Sequence, residues 1–248
     1  MTDTTISGDQ WIRRFRSGTD ATDRLVCFPH AGGSASFYFP VSQALSPGIE
    51  VMAVQYPGRQ DRRSEPFIDD IDELADLVAD ELRPWQNSRT ALFGHSMGAV
   101  LAFEVAQRLD TPPMALFASG RRAPSRYREE RVHLQDDEGL IAEMRELSGT
   151  APWVLGDEEL LRLILPAVRS DYRAIETYRC APGATVDCPI VVLTGDADPK
   201  VTLEEAEAWS EHTSVEAQVH VFPGGHFYLA EQQDEVLRVL TAHLRPGV

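Results

Sequence analysis

Lysine is almost missing from this 248-residue chain: of 23 basic residues only Lys200 is a lysine, and against 39 acidic residues the formal charge is −16. A field of that sign repels nucleic-acid phosphates and anionic membrane surfaces, so neither a general nucleic-acid binder nor a membrane-surface protein is expected. Cysteine is scarce as well. Cys27, Cys180 and Cys188 form no C-x-x-C pair, which argues against a disulfide framework and against a zinc knuckle, and suits a reducing cytoplasm. No apolar run approaches the ~18 residues a membrane span needs. The first residues carry Asp3 and Asp9 ahead of any arginine and have no apolar core, unlike a secretory signal. Glycines occur with neither the G-K-[ST] nor the G-x-G-x-x-G spacing, so phosphate and dinucleotide cradles are not indicated.

What is present is alternation. Short apolar runs at 25–29, 50–55, 90–94, 114–119, 189–194 and 216–222 are separated by amphipathic stretches, the pattern of strands and helices around a mostly parallel sheet. Helices are expected at 70–85 behind Asp69 as N-cap, at 97–109, at 202–211 with a Thr202/Glu205 capping box, and at 230–244. The length suits one α/β domain spanning 1–248. Between the runs at 114–119 and 189–194 the chain is too long for a simple crossover, so residues of about 121–188 are expected to hold a helical lid insertion, with helices at 136–147 and 157–178. The second should be interrupted or kinked at Pro166, and its Leu160, Leu161, Leu163, Ile164 and Leu165 should be covered on more than one side.

Gly94-His95-Ser96-Met97-Gly98 matches G-x-S-x-G, follows an apolar strand and precedes a helix, as in a nucleophile elbow. A serine hydroxyl needs a base, and the base an orienting acid. Both occur at the ends of later strands: Asp196 and Asp198 after 189–194, and His226 after 216–222. Of seven histidines only His226 follows the last strand on a loop. Asp198 is the preferred acid, because the third residue beyond a strand can swing toward the histidine; Asp196, the first, is the runner-up, with tightening the turn as its other role. No His or Cys lies near the two aspartates at ligand spacing, so no metal is expected. Oxyanion donors are expected from Met97 N–H at the helix start and from Ala31 N–H in the loop Pro29-His30-Ala31-Gly32-Gly33.

Five segments, FPHAGGSASFY (28–38), VQYPGRQDR (54–62), LFGHSMGAVLAFEVA (92–106), LTGDADP (193–199) and FPGGHFYL (222–229), resemble the type II thioesterases of polyketide synthases and nonribosomal peptide synthetases, as does WIRRF at 11–15. The resemblance implies an α/β-hydrolase fold. It also implies hydrolysis of acyl thioesters from the phosphopantetheine arm of an acyl or peptidyl carrier protein, with Ser96, Asp198 and His226 as triad and no cofactor; a serine esterase or acyltransferase on the same fold, acting on small esters, is the alternative the triad leaves open. A cytoplasmic monomer is expected. Carrier proteins of such systems are commonly acidic, so docking should use a local basic patch, for which Arg121 and Arg122 or Arg59 are candidates and a solvated surface paired with Glu129 and Glu130 is the alternative.

Overall fold

Residues rich in Val, Leu, Ile, Phe and Ala build the strands, and in the five central ones nearly all are buried on both faces, as a parallel sheet covered by helices requires. A computed structural model describes residues 10–15, 21–149 and 152–245; Asp3 and Asp9 lie outside the described residues. The strands are β1 (Ile12–Arg14), β2 (Asp23–Phe28), β3 (Ile49–Val54), β4 (Thr90–His95), β5 (Leu116–Ser119), β6 (Ile190–Gly195) and β7 (Ala217–Phe222). They form one seven-stranded sheet in the order β1-β3-β2-β4-β5-β6-β7, parallel except for β1 at its edge. The β1 strand is not foreshadowed by its three residues, two of them arginines; pairing with β3 makes it.

The helices are α1 (Phe39–Leu45), α2 (Ile71–Leu82), α3 (Met97–Arg108), α4 (Asp137–Leu147), α5 (Pro152–Leu155), α6 (Glu158–Thr177), α7 (Leu203–Glu207), α8 (Tyr228–Glu231) and α9 (Gln233–Leu244). On one face of the sheet, Leu74 and Val78 of α2 and Leu101 and Phe103 of α3 join Trp209 in an apolar layer. Leu45 of α1 and Val236 and Leu240 of α9 cover the other face. The cap of α2 is Asp70, whose carboxylate accepts the Glu73 N–H at 2.9 Å, and not Asp69, which pairs with Arg173 instead. The Thr202/Glu205 capping box forms, but α7 tightens after Glu207 into a 3₁₀ turn over Ala208–His212.

The long interval between β5 and β6 carries α4, α5 and α6, with a small apolar cluster of its own from Leu140, Met144, Leu161, Leu165 and Val168. The expected interruption at Pro166 does not occur: α6 is continuous from Glu158 to Thr177. Pro166 and Arg162, the residue whose carbonyl loses its helical partner there, are both exposed, so water can satisfy the freed oxygen. Leu163 is likewise exposed at 68%, so the apolar run is covered over less of its circumference than its composition implies.

Register places the functional loops together. Phe28 pairs with Gly94, His95 with Ser119, and Gly195 with Phe222, so the chain leaves β2, β4, β6 and β7 along one carboxyl edge. In open α/β sheets that edge is where ligands bind.

Candidate active site

Ser96 sits between β4 and α3 with φ 55° and ψ −118°, a conformation a non-glycine residue rarely adopts. Two glycines make the turn possible. A Cβ on Gly94 would overlap the Gly98 carbonyl, and one on Gly98 would overlap the Phe28 carbonyl. The Ser96 N–H donates to the Ser119 carbonyl at 2.8 Å, so the strained residue is tied to the next strand. Its side chain lines a cavity of about 470 Å³ together with His226, the loop from His30 to Gly33, and apolar side chains of the insertion.

His226 and Asp198 meet in this corner of the fold. The His226 Nδ1–H donates to both carboxylate oxygens of Asp198, at 3.0 and 2.9 Å, with the two residues 3% and 8% exposed. That bond leaves Nε2 as the ring's lone-pair nitrogen. Asp198 also accepts the Lys200 N–H at 2.8 Å, and the Lys200 ammonium reaches Glu143 of α4 at 2.5 Å. Asp196 points elsewhere: its carboxylate accepts the Gly224 N–H at 2.9 Å, bracing the loop that carries His226.

The loop after β2 engages the N–H groups of both its glycines. Gly33 N–H donates to the His30 carbonyl at 2.8 Å and Gly32 N–H to Asp171 at 2.7 Å. Among the described residues Ala31 N–H makes no hydrogen bond, and Ala31 lines the cavity. Met97 N–H opens α3 and so has no helical acceptor.

Two further histidines wall the site. His95 Nδ1 lies 2.9 Å from Ser119 Oγ, which is 2.6 Å from the Tyr228 hydroxyl, a buried polar chain running behind His226. Burial, then the nearby His226, pushes the His95 pKa well below its ordinary value. His30 packs edge-on against Phe37 and Phe227, and burial, followed by the charges of His226 and Arg59, brings its pKa down to about 3. An imidazole held neutral in the fold but free to protonate when unfolded makes the unfolded state bind more protons between pH 6.5 and about 3. Stability is therefore lost as pH falls through that window, by up to about 1.4 kcal/mol per pH unit for one group. Urea denaturation of His30→Gln from pH 7 to pH 5 is expected to show a shallower loss than the parent; equal slopes would contradict it.

The basic patch is corrected by the structure. Arg59 is buried against Asp171, Arg122 is buried against Glu130, and burial, then the charge of Arg122, pushes the Arg121 guanidinium pKa down to about 10. Arg59 and Arg122 are committed to those carboxylates, and Arg121 is half-buried beside them. The exposed Arg131 pairs with Glu129. Asp171, Lys200, Ser119 and Tyr228 around the site were given no role from sequence: a lone helical Asp and a strand-end Ser carry no motif, Lys200 stood out only as the single lysine, and Tyr228 only as part of FPGGHFYL. No group of three His, Cys, Asp or Glu among the described residues is placed to hold a metal, and none of the described helices is long and apolar enough to cross a membrane.

Residues 23–244 match the thioesterase domain family. The chain is 54% identical over 240 residues to a probable cadicidin biosynthesis thioesterase of Streptomyces griseus, covering 96% of this chain and 66%, just under two thirds, of that protein. It is 49% identical to thioesterase PikA5 of Streptomyces venezuelae, across 98% of this chain and 89% of that one. The structure of BorB, a type II thioesterase from the borrelidin biosynthetic cluster, superposes with a TM-score of 0.89 at 54% identity, over 95% of this chain and 98% of that one. An elbow serine, a histidine–carboxylate pair and a loop with a free N–H, at one edge of a mostly parallel sheet, are the parts an acyl-transfer hydrolase needs, and with that match the chain belongs to the thioesterase family of α/β-hydrolase enzymes.

Proposed function

We propose that this enzyme hydrolyses acyl thioesters carried on the phosphopantetheine arm of acyl or peptidyl carrier proteins, as a free-standing type II thioesterase of a polyketide or nonribosomal peptide pathway. The observation that carries the reading is the cavity itself: Ser96 and His226 open into a space of about 470 Å³ roofed by Met144, Leu147, Val154, Ile164 and Val168, an apolar ceiling suited to an acyl chain. In this reading residues of about 121–188 are the lid, and the single domain of 1–248 is completed by it.

Chemistry proceeds in two transfers. Ser96 Oγ attacks the thioester carbonyl while His226 Nε2 takes its proton, and Asp198 stabilises the imidazolium through Nδ1–H. The oxyanion accepts hydrogen bonds from Ala31 and Met97 N–H. Collapse breaks the C–S bond, His226 gives the proton to the pantetheine sulfur, which leaves as the free thiol, and a covalent acyl-Ser96 ester remains. Water, deprotonated by the same His226, then adds to the ester and releases the acid, restoring Ser96. Binding energy from the long arm, outside the reacting centre, is what would favour carrier-borne substrates over small ones.

Matched oxygen ester and thioester of one acyl group test the specificity directly. The thioester on a carrier protein is expected to give the larger kcat/KM; equal or greater turnover of a simple oxygen ester, with no carrier unloading, would make the chain an esterase on the same fold.

A further inference from the structure

Helix α6 does more than cover the cavity. Its Asp171 is 1% exposed and faces Arg59, 9% exposed, from the far side of the oxyanion loop. Arg59 Nη1 and Nη2 donate to Oδ2 and Oδ1 at 2.6 and 2.8 Å, the two-pronged arrangement that fixes both planes. The same Oδ2 accepts the Gly32 N–H at 2.7 Å, and Arg59 Nη1 also donates to the Gly33 carbonyl at 3.1 Å. Burial disfavours the Arg59 charge, but Asp171 outweighs it and the guanidinium pKa is raised. One turn before Asp171, Val168 closes on the loop so tightly that a Cβ at Gly32, which has φ +75°, would come within 2.6 Å of its Cγ2.

The consequence concerns peptide planes. With the Gly32 N–H turned to Asp171 and the Gly33 carbonyl turned to Arg59, the loop's direction is set from two sides, and Ala31, which lines the cavity, keeps an unengaged N–H. We infer that Asp171 and Arg59 are positioning residues that aim the Ala31 N–H at the oxyanion, which makes the insertion helix part of the catalytic apparatus. The inference rests on the reading of Ala31 as oxyanion donor. Neither side chain is required to touch substrate; both act through the loop. Because a buried ion pair stripped of one partner leaves an uncompensated charge, the pair is expected to behave as a unit.

The test uses Asp171→Asn, which is close to isosteric, and the double variant Arg59→Met/Asp171→Leu, which leaves no unpaired buried charge where the single variant fails to fold. Each is titrated for active sites with a fluorophosphonate, then measured for kcat, KM and affinity for an alkyl boronic acid whose tetrahedral adduct on Ser96 places an oxygen in the oxyanion site. Expected is a fall of about 10- to 100-fold in kcat per titrated site, the scale of a misplaced catalytic donor. KM should stay within about threefold, and boronate affinity should fall by the same factor as kcat/KM. A kcat per titrated site within about twofold of the parent, in either variant, overturns the inference, since a purely structural pair would lower the fraction of active sites and not the turnover of those that remain. Failure of the carrier reading shows separately, as absent carrier unloading by the parent enzyme; the boronate comparison between parent and variant still reports on the loop.

Discussion

Ser96→Ala is expected to lower kcat on a thioester by a factor on the order of 10⁶, with the residual rate coming from oxyanion donors and binding. The size of the loss follows from how little else at the site can attack. His226 is bonded through Nδ1 to Asp198, Asp198 is buried, and the wall histidines His30 and His95 are tucked against aromatic rings and the Ser119 hydroxyl. Removing Oγ from the elbow leaves water as the only nucleophile for the carbonyl. Fold and substrate binding should survive, because alanine at the elbow keeps the backbone and its bond to the Ser119 carbonyl. The checks are stopped-assay kinetics with a small acyl thioester and labelling by a fluorophosphonate, which should vanish in the variant. A loss smaller than about 100-fold would mean another residue carries the attack.

The second large effect separates two neighbouring aspartates. Asp198→Asn is expected to lower kcat by about 10⁴-fold, since an amide presents N–H where the carboxylate accepted the Nδ1 proton and drives His226 to the tautomer with no lone pair toward Ser96. Asp196→Asn, by contrast, is expected to change kcat by less than about tenfold and to cost about 0.5–1.5 kcal/mol of stability, the net value of one turn hydrogen bond. The asymmetry comes from geometry: Asp198 faces the imidazole at 2.9 and 3.0 Å, whereas Asp196 caps the backbone at Gly224. If the two substitutions exchanged their effects, Asp196 would be the acid.

The meeting of the candidate residues was legible in sequence because each occupies the end of a strand, and strands announce themselves as apolar runs. Gly94 and Gly98 flag the elbow since no side chain fits there, and the position of His226 past the last run singled it out among seven histidines. What stayed hidden depends on contacts between distant parts of the chain. Arg59 and Asp171 are 112 positions apart, and each in isolation reads as a solvated charge. Arg121 and Arg122 suggested a docking surface for the same reason, since charge is visible in sequence while the burial of Arg122 against Glu130 is not. Continuity of α6 through Pro166 was illegible because it turns on which face of the helix meets water. The β1 strand needed β3 beside it to exist at all.

Release of an acyl group from a carrier protein by Ser96-dependent hydrolysis is tested most directly by intact-mass measurement. A carrier protein loaded with a short acyl group on its phosphopantetheine arm is incubated with the parent enzyme and, separately, with Ser96→Ala. Loss of the acyl mass with the parent alone, leaving the free pantetheine thiol, is the expected result. An acyl mass retained with the parent for every acyl group tried, while simple esters are still cleaved, would contradict it.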